Sequence, residues 1–119
     1  MFCLGIDSGT RSTRALVLDL DSGKVLAVAQ RPHTFTAKLS HGHVEQDPQT
    51  WIDAADQAVR ECLSHIGDRK NALSAIAVSA QQHGLVVLDD RNRPIRPAKL
   101  WSDTSTAYTT ISQFSWHQT

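Results

Sequence analysis

The stretch Gly5-Ile6-Asp7-Ser8-Gly9-Thr10-Arg11-Ser12-Thr13-Arg14 gathers the groups that a phosphate and its counter-cation require. Asp7 offers hard carboxylate oxygens, suited to Mg²⁺ directly or through water. Gly9 lets the backbone approach a bulky anion and take conformations that other residues resist. Successive N–H groups in a tight turn form an anion-binding nest. Thr10, Ser12 and Thr13 add hydroxyl donors, and Arg14 adds a fixed positive charge able to bond phosphate oxygens. The same residues also suit an ordinary polar hairpin turn. The stretch is neither a G-x-x-x-x-G-K-[ST] loop nor a G-x-G-x-x-G dinucleotide turn.

Three other segments carry usable chemistry. Ser79-Ala80-Gln81-Gln82-His83-Gly84 closes an apolar run. Gln82 and His83 there are neutral donors and acceptors, fit to read the hydroxyls of a sugar. The plainer reading is a polar strand end with a turn at Gly84. Gly42-His43-Val44-Glu45-Gln46-Asp47-Pro48, with Trp51 following, puts an acidic pair at the positive end of a helix, with Asp47 as its cap. An alternative there is a metal site from His41, His43, Glu45 and Asp47. In Arg96-Pro97-Ala98-Lys99-Leu100-Trp101-Ser102-Asp103-Thr104, Trp101 packs on the sheet or walls a ligand site. Asp103 bonds a ligand hydroxyl or ties its own loop down.

The elements that position these groups follow from periodicity. Phe2, Cys3, Leu4 and Ile6 predict a strand buried on both faces. Thr13 to Leu20 and Val25 to Ala29 predict two more, with Gly23 supplying the positive φ of the turn between them. The result is an antiparallel three-strand meander. Residues 31–47 read as a surface loop. Pro48 suits the first helical position, and Trp51, Ala55, Ala58, Val59, Cys62, Leu63 and Ile66 form one helical face that ends at Gly67. Asp68 to Asn71 is a polar connection. Leu73 to Ala80 is a strand, so that Gln82 and His83 follow a strand carboxyl end, where open α/β sheets meet ligands. Leu85 to Leu88 and Ile95 to Trp101 predict a hairpin that Pro94 and Pro97 push toward a sheet edge. Residues 102–119 form a polar tail of uncertain structure.

Composition excludes several classes. Lys and Arg balance Asp and Glu at zero net charge, so no field captures nucleic acid. No apolar run approaches the roughly 18 residues of a membrane span, and no secretory signal opens the chain. Cys3 and Cys62 have no metal-like spacing and read as reduced thiols of a cytoplasmic protein. The length suits one compact unit, residues 1–119.

The four motifs, in this order from Phe2 to about Thr106, resemble the N-terminal part of FGGY-family carbohydrate kinases. The opening hairpin is similar to the first phosphate-binding hairpin of actin-like ATPases, and Val44-Glu45-Gln46-Asp47-Pro48 to a family signature. Gln81-Gln82-His83-Gly84 is similar to the sugar loop of the xylulokinase branch, where the positions of Gln82 and His83 contact the ketose. Glycerol kinases carry an Arg-Glu pair there. Ser8 and Arg11 depart from the usual, less polar or smaller residues, and Ser112 to Thr119 fits the family poorly.

The resemblance implies an α/β fold, part of the N-terminal lobe of the actin-like (ribonuclease H-like) architecture. It implies ATP and Mg²⁺ as cofactors, with Asp7 as metal ligand, and Gln82, His83 and Asp103 facing a ketopentose. It further implies that an Asp beyond residue 119 removes the proton from the attacking sugar hydroxyl. The 119-residue chain alone is then expected to be inactive, and its unpaired sheet edges to favour self-association. Open alternatives are a kinase for ribulose, gluconate or another polyol, a non-catalytic nucleotide- or sugar-binding module, and a truncated remnant.

Overall fold

A computed structural model describes residues 1–107. Strands β1 (Phe2–Ser8), β2 (Ser12–Asp19) and β3 (Val25–Pro32) form the expected antiparallel meander, with Ser8 opposite Thr13 at its first turn. At the second turn Gly23 has φ +69° and its N–H bonds the Asp19 carbonyl. The Asp19 side chain accepts from the Asp21 N–H and the Ser22 hydroxyl, fixing the reversal. Strand β5 (Leu73–Ala80) lies parallel to β1, giving the sheet order β3-β2-β1-β5.

Helix α1 (Pro48–Ile66) crosses from the meander to β5. Its Asp47 cap accepts from the Gln49 N–H, and Pro48 sits in the first turn. Its buried line is Ala54, Ala58, Cys62 and Ile66, so Ala54 takes the place expected of Ala55. The core is made of Ala58, Cys62 and Ile66 with Leu4, Ala15, Val17, Ala27 and Ala29. Alanines on both sides let the helix lie close to the sheet, and the Cys62 thiol donates to the Ala15 carbonyl. Burial pushes that thiol's pKa up, which suits a packing role. Both cysteines are free thiols. Gly67, at φ +56° and ψ −134°, ends the helix outside the left-handed helical well, and a 3₁₀ turn over Gly67–Ala72 leads into β5.

Several expectations need correction. β1 is not buried on both faces: only Leu4 is fully buried, because α1 covers one side of the sheet. β5 is exposed from Ser74 to Ala80, with Ile76 and Val78 each 69 % accessible. The segment read as a surface loop contains buried His33, Glu45 and Gln46, and β3 runs on to Pro32. Within it lies β4 (Glu45–Gln46), which pairs antiparallel with β6 (Ala98–Lys99). The predicted late hairpin is present only as single antiparallel bridges, Leu88 to Pro94 and Leu85 to Lys99, and its second arm pairs on its other side with β4. Tyr108, Ile111, Phe114, Trp116 and the rest of the tail lie outside the described residues.

Candidate active site

Two of the predicted motifs meet. β1 and β5 are parallel neighbours, so their carboxyl ends lie side by side, and the Gln81 N–H donates to the Ser8 carbonyl over 2.9 Å. Between them opens a cavity of about 370 Å³ lined by Asp7, Gly9, Thr10, Gln81, Gln82, His83 and Trp101. The Asp7 carboxylate is exposed and has no hydrogen-bond or ion-pair partner among the described residues. An uncommitted carboxylate on a cavity wall fits a hard cation.

The turn that carries Thr10 is held from behind. Gln46 is fully buried and donates from Nε2 to the Thr10 carbonyl over 3.0 Å, while its Oε1 accepts from Trp51 Nε1 over 2.8 Å. The His33 N–H bonds the Arg11 carbonyl. The His33 ring, 6 % exposed, places Nε2 2.8 Å from Thr13 Oγ1, which lies 2.9 Å from Ser8 Oγ. Desolvation lowers the His33 pKa, partly offset by the Thr10 and Gly9 carbonyls. Its Nδ1 is buried without a partner among the described residues. On the open side, Trp101 Nε1 donates to Thr10 Oγ1 over 3.1 Å.

The remaining hairpin residues separate. Thr13 is fully buried and bonded to Ser8 and His33, so it cannot reach a phosphate in the cleft as expected. Alternation along β2 turns it toward the helix. Ser12 and Arg14 both bond Gln30, Ser12 as acceptor and Arg14 as donor. Arg14 still shares an adjoining cavity of about 260 Å³ with Asp7 and Ser79. Gly9 does not adopt positive φ, and an added Cβ would meet only the Ser12 carbonyl at 3.7 Å. Its contribution is clearance at the cavity wall rather than conformation. The strained residue is His83, at φ +61°, not Gly84. Non-glycine residues in that region cost on the order of 1 kcal/mol and concentrate at functional sites.

Asp103 lies outside the cavity lining. Its oxygens accept from the Ser105 hydroxyl and N–H, the Val44 N–H at 2.8 Å and Lys99 Nζ at 3.1 Å. These donors, the Ser105 hydroxyl first, hold its carboxyl well below the usual carboxylate range. Of its two sequence readings, this geometry is the loop tie. Glu45 does not serve the helix terminus: it pairs with Arg96 and Lys99. The candidate metal cluster is also rearranged. His43 and Glu45 come together with Asp103, while His41 and Asp47 are elsewhere. Two cations already neutralise those carboxylates.

Sequence reasoning did not single out Gln46, His33 or Gln81 as parts of this site. Gln81 lines the cavity, and its Oε1 is buried with no partner among the described residues. Its place in Gln81-Gln82-His83 was the available signal. His33 carried none.

Parallel β1 and β5, the helix that crosses between the meander and β5, and a cavity at the strand carboxyl ends form a piece of an actin-like α/β lobe. Residues 2–115 match the model of the FGGY family of carbohydrate kinases, N-terminal domain, and the chain belongs to that family. It is 42 % identical over 104 residues to a xylulose kinase of Streptomyces rubiginosus, a match covering 87 % of this chain and 20 % of that protein. It is 43 % identical over 108 residues to a xylulose kinase of Haemophilus influenzae, covering 87 % and 22 %. The crystal structure of xylulose kinase from Rhodospirillum rubrum superposes with a TM-score of 0.86 at 31 % identity, over 95 % of this chain and 23 % of that one. The chain thus spans about a fifth of the length of these curated relatives.

Proposed function

We propose that this chain forms part of the first lobe of an ATP-dependent ketopentose kinase, the product of D-xylulose being xylulose 5-phosphate. One observation carries the reading: the cavity joins Asp7, Gly9 and Thr10, suited to phosphate and metal, to Gln81, Gln82 and His83, suited to sugar hydroxyls. Asp7 would hold Mg²⁺, which when bound neutralises charge on the transferring phosphates. Arg14, on the adjoining cavity, adds positive charge on the same side. The Thr10 O–H can donate a hydrogen bond to a phosphate oxygen while Oγ1 accepts from Trp101 Nε1. The buried Gln81 Oε1 accepts from a sugar hydroxyl, the partner it lacks here.

The general base is a further requirement. Asp7 is the sole carboxylate among the residues lining the cavity, and a carboxylate beside phosphates serves the metal. We therefore place the base outside these 119 residues and expect the isolated chain to bind without turnover. Calorimetric titration of the 119-residue protein with MgATP, D-xylulose, D-ribulose and gluconate tests the reading. MgATP and D-xylulose are expected to bind. Asp7→Ala should abolish the first and spare the second, and Gln82→Ala should do the reverse. Preference for ribulose or gluconate would reassign the sugar, and absence of both nucleotide and sugar binding would refute the site.

A further inference from the structure

We infer that Gln46 is a positioning residue for the phosphate turn, acting by fixing which way the Thr10–Arg11 peptide faces. The inference rests on the proposed phosphate site. Gln46 is two residues from the start of α1, yet its side chain reaches back 36 positions to the Thr10 carbonyl. Its amide orientation is forced. The Thr10 carbonyl only accepts and the Trp51 indole N–H only donates, so Nε2 must face the first and Oε1 the second. Trp51 is one turn along the helix that Pro48 begins, so the helix itself aims the amide.

The consequence for the turn follows from peptide geometry. All peptide bonds described are trans, and in a trans peptide C=O and N–H point in opposite directions. The Thr10 carbonyl points into the buried side, toward Gln46. The Arg11 N–H therefore points away from it, to solvent. Neither the Thr10 nor the Arg11 N–H has a protein acceptor among the described residues. A two-residue turn of this kind can rotate its central peptide, and rotation would replace that N–H by a carbonyl oxygen facing the phosphate. Gln46 holds the attractive orientation. It touches no ligand and acts through the Thr10–Arg11 peptide.

The reporter is the Arg11 backbone amide, followed by ¹H–¹⁵N spectroscopy of the 119-residue protein during titration with MgATP and, separately, inorganic phosphate. In the wild-type protein the Arg11 amide proton should move downfield on saturation. Gln46→Met preserves volume and apolar packing but cannot bond the carbonyl; affinity for MgATP should fall about tenfold, as for a lost bond to a charged group. Gln46→Glu adds a pH signature. Ionised, it repels the Thr10 carbonyl; protonated, it donates to it. His33, beside the same turn, titrates in this range too, so the comparison is with wild type: the ratio of variant to wild-type affinity in the folded fraction should recover on acidification from pH 8 to 6, which a merely structural role would not produce. If the wild type binds but Gln46→Met and Gln46→Glu bind equally well at every pH, the inference is overturned and the site stands. If the wild type itself does not bind, both fall. Should either variant fail to fold, Trp51→Phe removes only the donor that orients the amide, and unchanged MgATP affinity in it overturns the inference.

Discussion

Trp101 Nε1 and Thr10 Oγ1 lie 3.1 Å apart across 91 residues of sequence, on the open side of the cavity. The bond joins the phosphate turn to the segment that follows β6. Trp101 is 61 % exposed, so its ring contributes little to the core. Trp101→Phe keeps the ring and deletes the donor. MgATP affinity should drop severalfold while unfolding free energy, by urea titration, stays within about 0.5 kcal/mol. The fluorescence change on ligand binding should also vanish, since Trp101 is the tryptophan on the cavity wall. A fluorescence response surviving in the variant would move the site elsewhere.

Asp103 separates a structural from a sugar-reading role. Its folded pKa is depressed by the Ser105 hydroxyl, with the Val44 N–H and Lys99 assisting. A depressed carboxyl stabilises above its unfolded value, near pH 4, and that contribution is lost as pH falls toward the folded value. Asp103→Asn should therefore lower the thermal midpoint at pH 7, with the gap to wild type closing as pH drops below about 4. D-xylulose affinity should change far less than in Gln82→Ala. Equal loss of sugar binding in the two variants, with unaltered stability in Asp103→Asn, would restore the sugar-reading role.

His33 gives a pH dependence of the same sign, in a higher window. Its pKa is lowered by burial, so the neutral ring is the folded form. Full stability is present above the unfolded value near 6.5 and declines as pH falls through it toward the folded value. One proton sets a limiting slope of about 1.4 kcal/mol per pH unit. Chemical denaturation from pH 7.5 to 5 should show this decline, and His33→Gln, which can still bond Thr13, should flatten it. An identical slope in the variant would mean that another group carries the transition.

What was legible in sequence was local. The β1–β2 hairpin, the Asp47–Pro48 helix start and the Gln82-His83 strand end are contiguous, and each element's period or cap is written within it. The support behind the turn was not. Gln46 acts over 36 residues and His33 through Thr13 over 20, and neither burial leaves a periodic trace. Thr13 was misassigned for a related reason. As a turn residue its hydroxyl suits phosphate, but the register that pairs it with Ser8 puts it on the helix face. Glu45 was drawn to the helix terminus by proximity in sequence, whereas Arg96 and Lys99 reach it only once β4 pairs with β6.

The edge of β5, unpaired among the described residues, leads to a last prediction. The strand Leu-Ser-Ala-Ile-Ala-Val-Ser-Ala has no charge and no proline, the usual means of blunting an edge. Gln81 donates its N–H to β1, so by alternation the N–H groups of Ile76 and Val78 point to the open edge. Their side chains are exposed as well, adding apolar surface to an unpaired ladder. We propose that a second copy of this chain pairs there. Sedimentation velocity of the 119-residue protein should show mass rising with concentration through the micromolar range. Ile76→Lys places a charge on that strand at a residue lining neither the cavity of Asp7 and His83 nor that of Asp7 and Arg14, and should give a monomer that still binds MgATP. A wild-type protein that stays monomeric across that range would show that the edge is satisfied by the chain itself.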